Sequence, residues 1–282
     1  MPLLQDIIAP LEAITTVHRT PCGDGDLVWR RWGDGAKRPV VLAHGGSGSW
    51  THWIKTIPAL IPHYDVWAVD LPGLGDSAMP PKPLTPETSG RVLADGLRQL
   101  IPASRRPHLV TFSFGGHVGT FAAIELGNHI ASFTLSGCSA LGLHPVLEEF
   151  PKERNTMTPA DRLQVHRRVL EILMIAEPSR IDDAAIAIQA GNVRKARFRS
   201  REFARTTEIK ERLADVKVPL RAIWGARDVL AKPTLDALFD VLRLHQPNLV
   251  TRVVPDAGHW SMYENAPAFN AALLEQLAAE PN

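Results

Sequence analysis

The chain has 282 residues, 45% of them hydrophobic and 22% charged, which suits a globular protein with a sizeable core and excludes a disordered chain, a coiled coil and a stapled miniprotein. Thirty-one Lys and Arg against thirty Asp and Glu leave a formal charge of +1, so no whole-molecule field draws DNA, RNA or an anionic membrane. Cys22 and Cys138 lie far apart and match no CxxC pattern. That reads as two free thiols in a reducing cytoplasm, with neither a disulfide framework nor a cysteine-based zinc site.

In chain order, the opening MPLLQDIIAPLEAITTVHR lacks the basic start, apolar run and small-residue cleavage site of an export signal. No stretch of about 18 apolar residues runs without a charge or proline, so no membrane-spanning helix is expected. TTVHRTP and DLVWRRWG, joined by the turn CGDGD, read as an antiparallel edge hairpin. RPVVLA is a buried strand ending in the glycine-rich turn HGGSGSW, followed by a helix carrying Trp53, Ile57, Leu60 and Ile61 inward. YDVWAVD with its turn LPGLGDS follows, then a helix opened by Thr85, Pro86 and Glu87. HLVTF runs directly into SFGGHVGTFAAIEL, and ASFTLSG is the next strand.

From about Leu141 to Leu213 the rhythm changes to long, more polar helical stretches, and strands return at PLRAIWG and LVTRVVP, each followed by a helix. Alternating strands and helices predict an α/β fold, a mostly parallel sheet of about eight strands covered on both faces. Its core comprises 1–140 and 215–282, with a helical cap inserted at 141–214. No internal repeat or low-complexity linker interrupts it.

The chemistry centres on Thr111-Phe112-Ser113-Phe114-Gly115-Gly116, between a buried strand and a helix. A serine on such a tight turn is held in a strained conformation with its hydroxyl above the sheet, a nucleophile elbow whose usual motif is GxSxG; Thr111 replaces its first glycine. A serine hydroxyl needs an oriented base to attack a carbonyl. Asp228 in WGARD and His259 in PDAGHW each stand just beyond a strand end, and the order Ser, Asp, His is that of the α/β-hydrolases.

The chain resembles an α/β-hydrolase fold enzyme with a helical cap, on five motifs in order: HGG at 44–46, DLPGLGDS at 70–77, SFGG at 113–116, GARD at 225–228 and GHW at 258–260. Each falls at the carboxyl end of a predicted strand, where open α/β sheets place their sites. The resemblance implies Ser113 as nucleophile, His259 as general base and then acid, and Asp228 as the group holding the imidazole. Where some relatives place the acid one strand earlier, this chain has Ser136-Gly137-Cys138. Oxyanion donors are expected from the amides of Phe114, at a helix start, and Gly46, in the HGG turn. His44 is expected to order that turn and Asp70 to pin it, neither moving a proton.

Gly45, Trp50, Trp260 and Arg197 are the substrate-binding candidates. Arg197 belongs to the stretch Arg194–Arg212, where eight Lys and Arg face three Glu, and such an arginine can bind a carboxylate bidentately. Trp53 reads as packing. His52, His63, His108, His117 and His129 show no metal-ligand spacing and read as core or surface residues, and GGSGS lacks the Lys and Ser/Thr of a phosphate-binding loop, so neither a metal nor any other cofactor is expected. The implied function is a serine hydrolase of small, largely apolar esters working through an acyl-enzyme, in the cytoplasm, with a small-molecule substrate and no nucleic-acid or membrane partner; a homodimer stays open. The competing enzyme reading is a carbon–carbon hydrolase of dienoate ring-fission products, whose resemblance lies in GHW, the HGG turn and the arginine-rich cap. Those enzymes typically carry Asn before the nucleophile, where Phe112 stands, and GPG where GSG stands. A non-catalytic ligand-binding protein on the same fold is the third reading.

Overall fold

A computed structural model of the chain describes residues 4–143 and 149–279. It opens with helix α1 (Leu4–Glu12) and the hairpin β1 (Thr16–Cys22) and β2 (Gly25–Trp32). Then come β3 (Pro39–Ala43), a short 3-10 turn at Trp50–Trp53, α2 (Ile57–Leu60) and β4 (Asp65–Val69). The central units are α3 (Pro86–Leu100), β5 (His108–Phe112), α4 (Phe114–Leu126) and β6 (Ser132–Ser136). Helices α5 (Pro159–Val169), α6 (Asp183–Lys195) and α7 (Glu208–Arg212) lie between β6 and β7 (Leu220–Gly225). The chain closes through α8 (Leu235–Arg243), β8 (Val250–Val254), α9 (Ser261–Glu264) and α10 (Ala266–Ala278).

The strands form one eight-stranded sheet in the order β1-β2-β4-β3-β5-β6-β7-β8. β1 and β2 pair antiparallel with each other, as does β2 with β4, and every later pairing is parallel. All residues of β3, β4, β5 and β6 are buried, as expected of strands covered on both faces. Successive side chains go to opposite layers: Val41, Leu109 and Leu135 meet Leu93 and Leu97 of α3 and Val118 of α4. Val40, Leu42, Val110 and Phe112 meet Ile57 and Leu60 of α2 and Phe269 and Leu273 of α10.

The sequence assigns no element to residues 4–12. Helix α1 exists through packing: it buries Ile8 and Leu11, and the Leu11 carbonyl accepts the Trp32 indole N–H at 2.8 Å. The helix expected to carry Trp53 is divided into the 3-10 turn and α2. Within the expected insertion at 141–214, residues 144–148 lie outside the described residues.

Helices α5 and α6 approach the sheet's carboxyl end through specific anchors. On α6, Asn192 Oδ1 accepts from Ser49 Oγ at 2.7 Å and Thr51 Oγ1 at 3.2 Å. Lys195 Nζ meets Asp76 Oδ1 at 2.6 Å, and Asp76 also pairs with Arg30 at 2.7 Å. α5 ends in a π-turn at Leu170–Met174, in which the Ile175 amide donates to the Leu170 carbonyl at 2.9 Å. No described helix is long and apolar enough to cross a membrane.

Candidate active site

Ser113 sits between β5 and α4 with φ 51° and ψ −119°, a region a non-glycine residue occupies only when its surroundings enforce it. Its amide donates to the Ser136 carbonyl at 2.8 Å and its carbonyl accepts from Gly116 at 2.8 Å, so the neighbouring strand and the first helical turn hold the elbow. Thr111, which stands where the elbow motif carries glycine, is buried with its hydroxyl on the Thr134 carbonyl at 2.9 Å. Its methyl faces Gly119 of α4, where a Cβ would come within 2.5 Å of it. The room that a strand glycine usually leaves at an elbow comes instead from a glycine on the helix.

Asp228 follows β7 through a turn closed by its amide on the Gly225 carbonyl at 3.2 Å. His259 follows β8 in the adjoining loop. The two loops are tied by the Arg227 amide on the Ala257 carbonyl and the Ala226 amide on the Val254 carbonyl, both 2.9 Å. They approach so closely that a Cβ on Gly225 would meet the Gly258 carbonyl. Ser113 and His259, 146 residues apart, meet at 2.9 Å between Oγ and Nε2. His259 Nδ1 lies 3.0 and 3.2 Å from the Asp228 carboxylate oxygens. His259 is 2% exposed and Asp228 4%, so water competes weakly for either hydrogen bond. Asp228 Oδ1 also accepts the Leu230 amide at 2.9 Å.

Two backbone donors face the same space. Phe114 opens α4, where helix amides have no internal acceptor, and neither its amide nor that of Gly46 has a partner among the described residues. The Gly45 amide is engaged instead, donating to His52 Nδ1 at 3.3 Å; Gly45 lines the cavity through its backbone. His44 Nε2 accepts the Leu71 amide at 2.9 Å, and its Nδ1–H reaches the Gly45 carbonyl at 2.7 Å. Burial lowers the His44 pKa, the Asp70 charge acting against it. Asp70 ties the loops together, taking the Trp50 amide at 2.8 Å, the Asp76 amide at 3.0 Å and Arg30 at 3.1 Å.

The cavity over Ser113 encloses about 140 Å³, walled by Gly45, Gly46, Phe112, Phe114 and His259 below and by Val169, Leu173, Met174 and Ser200 above. Ser139, Phe150, Arg201, Ala204 and Leu230 also border a larger apolar chamber of about 420 Å³ that includes Leu141, Leu143 and Leu238.

Three substrate-binding candidates lie elsewhere. Trp50 is buried beneath the loop, against Trp32 at 5.5 Å and under the Arg30 guanidinium. Trp260 stacks on Tyr263 at 4.1 Å and donates its indole N–H to the His52 carbonyl at 2.9 Å. Arg197 turns away from the cavity: its guanidinium donates to the Ser77 carbonyl and its amide to the Gly73 carbonyl. Arg201, four residues further on, reaches the cavity wall, its guanidinium over Phe150 at 4.3 Å and its pKa lowered by burial.

Other contributors carry no motif. Glu264 accepts the amides of Gly258 at 2.7 Å, Ala176 at 3.0 Å and Glu177 at 2.8 Å, tying the histidine's loop to the end of the π-turn segment. His117 lines the cavity one turn along α4, with Nε2 2.9 Å from Ser139 Oγ and its pKa pushed down to about 4 by burial. Its helical spacing from Ser113 is the one sequence signal that could have found it. Among the described residues, no group of His, Cys, Asp and Glu is placed to hold a metal ion.

An open, mostly parallel sheet with a serine, histidine and carboxylate gathered at its carboxyl end defines the hydrolases of the α/β class. Residues 40–272 match the model of the alpha/beta hydrolase family; the chain belongs to that family and is a hydrolase. It is 25% identical over 284 residues to the 2-hydroxy-6-oxononadienedioate/2-hydroxy-6-oxononatrienedioate hydrolase of Escherichia coli K12, covering 93% of this chain and 91% of that one. A Burkholderia cenocepacia protein assigned provisionally as an aryl esterase superposes with a TM-score of 0.71 at 25% identity, over 93% of this chain and 98% of that one. The fold is shared with the CarC enzyme, a serine hydrolase involved in carbazole degradation, with a TM-score of 0.71 at 22% identity over 94% and 99% of the two chains.

Proposed function

We propose that the protein is a serine hydrolase of small, largely apolar carboxylic esters, with Ser113 as nucleophile, His259 as base and acid, and Asp228 as the group that orients and stabilises the imidazolium. The observation that carries this reading is the 2.9 Å contact from Ser113 Oγ to His259 Nε2 at a strained strand-to-helix turn. His259 Nε2 takes the hydroxyl proton as Oγ attacks the carbonyl carbon, while Asp228 holds Nδ1–H. Negative charge gathers on the former carbonyl oxygen, where the Gly46 and Phe114 amides receive it; one such donor lowers the barrier by about 3 to 4 kcal/mol. The imidazolium then protonates the departing alcohol, leaving an acyl-Ser113 ester. Water, deprotonated by the same nitrogen, releases the acid and restores Ser113.

The mixed lining, with Val169, Leu173 and Met174 above the nucleophile, suits an acyl group with little charge. Wild-type protein should hydrolyse p-nitrophenyl esters of short and medium chain, and Ser113→Ala should lower kcat/KM by roughly 10³-fold or more. Equal turnover by the variant would refute the assignment.

A second reading, hydrolysis of a carbon–carbon bond in a dienoate, is favoured by the activity of the E. coli relative. Against it stands Phe112, whose ring packs 4.9 Å from the His259 ring where the dienoate enzymes carry an amide side chain. Bleaching of a coloured dienoate by the protein, without ester turnover, would select this reading.

A further inference from the structure

Two side chains in the wall over Ser113, His52 and Gln189, each carry a polar group that makes no hydrogen bond among the described residues, and neither takes part in the proton transfers. His52 is 2% exposed and lines the cavity. Its Nδ1 accepts the Gly45 amide at 3.3 Å, so in the neutral ring the proton is on Nε2. That Nε2–H meets no acceptor among the described residues. Gln189, on α6, is 7% exposed and lines the same cavity, and its amide makes no hydrogen bond among the described residues. Both groups open onto the cavity, where a polar atom of a ligand could pair with them.

Their placement is held from both sides. Asn192 lies one turn beyond Gln189 on α6, hence on the same face, and its side chain grips Ser49 and Thr51 beside His52. From below, the Trp260 indole holds the His52 carbonyl, and the Phe112 ring meets the imidazole edge-on at 5.5 Å. The imidazole stays uncharged: burial, with the imidazoles of His44 and His259 nearby, holds its pKa well below the ordinary value. Protonating Nδ1 would also break the bond from Gly45.

We propose that His52 Nε2–H and the Gln189 amide form a neutral polar subsite of the catalytic cavity that hydrogen-bonds a second, uncharged oxygen of the substrate. The substrates are therefore esters whose acyl part carries a ketone, ether or hydroxyl oxygen in addition to the carbonyl under attack. A carboxylate at this subsite would be desolvated without a counter-charge from either residue. The cationic Arg201 lies over Phe150, on the part of the cavity wall shared with the larger chamber. The proposal rests on the ester-hydrolase reading and specifies its substrate class. A site built to hydrogen-bond a substrate group discriminates strongly against the analogue that lacks it.

The test compares kcat/KM for p-nitrophenyl 4-oxopentanoate and 5-oxohexanoate with the matching pentanoate and hexanoate, and with the anionic hemisuccinate, in wild type, Gln189→Leu and His52→Phe. Ser113-dependent turnover of plain pentanoate establishes the underlying reading independently; its absence sinks that reading and this proposal together. We expect one keto ester to exceed its plain counterpart by tenfold or more in wild type. In Gln189→Leu the ratio should fall to about one while plain-ester kcat changes less than threefold. His52→Phe should lower the same ratio, and if it fails to fold, the Gln189 result decides. A wild-type ratio near one for both keto esters, a ratio retained in Gln189→Leu, or a preference for the hemisuccinate would overturn the proposal.

Discussion

Glu264 shows how the histidine is held. Its two oxygens accept three amides, from Gly258 beside His259 and from Ala176 and Glu177 at the edge of the inserted helices. Glu264→Gln replaces one acceptor oxygen with a donor that faces N–H groups. Thermal unfolding should show a loss of about 1 to 3 kcal/mol, with a fall in kcat/KM because the His259 loop loses its fixed position. A variant as stable and active as wild type would mean that the loop is held by other contacts. Ser113, Asp228 and His259 were legible in the sequence because each stands on a short turn at a strand end, where local pattern fixes position. Trp50, Trp260 and Arg197 were not, because the direction of a long side chain is set by distant partners: Trp32, the His52 carbonyl and the Ser77 carbonyl respectively. His52 and Gln189 were hidden for the same reason.

At the scale of elements, the join of β5 to α4 depends on a methyl group and a missing Cβ. Gly119→Ala would push against the Thr111 methyl and the Phe133 ring, an overpacking that costs roughly 1 to 3 kcal/mol. Thr111→Ser removes that methyl but keeps the hydroxyl that bonds the Thr134 carbonyl. The double variant should regain part of the stability lost in Gly119→Ala, which chemical denaturation can read as a coupling between the sites; additive losses would contradict the arrangement. Asn192 is one of the anchors of helix α6, with Lys195, so Asn192→Ala should raise KM more than it lowers kcat, steady-state kinetics giving the split. The strands were legible as short β-branched runs between turn residues, and the parallel sheet followed from their alternation with helices. Helix α1 was not, since it contains Pro10 and buries only two side chains. Nor was the π-turn at Leu170–Met174, which continues α5 without a change of composition.

For the molecule as a whole, buried histidines set the response to acid. Burial pushes His117 down to about 4 and, with Arg221, Arg38 and Arg106, His108 down to about 3, against an ordinary 6.5. Below pH 6.5 the unfolded chain therefore binds protons that the folded chain refuses, and stability falls as pH drops towards 4. Each unit of difference corresponds to about 1.4 kcal/mol. Denaturation midpoints should decline across that window, and His117→Gln should flatten the decline; an unchanged slope would remove His117 from the account. The central claim, that the fold turns one particular alcohol into a nucleophile, is tested most directly by a fluorophosphonate probe and mass mapping of its adduct. The account predicts one adduct, on Ser113, formed at least 100-fold more slowly in His259→Gln and absent in Ser113→Ala. No adduct on folded wild-type protein, or one on another residue, would contradict it.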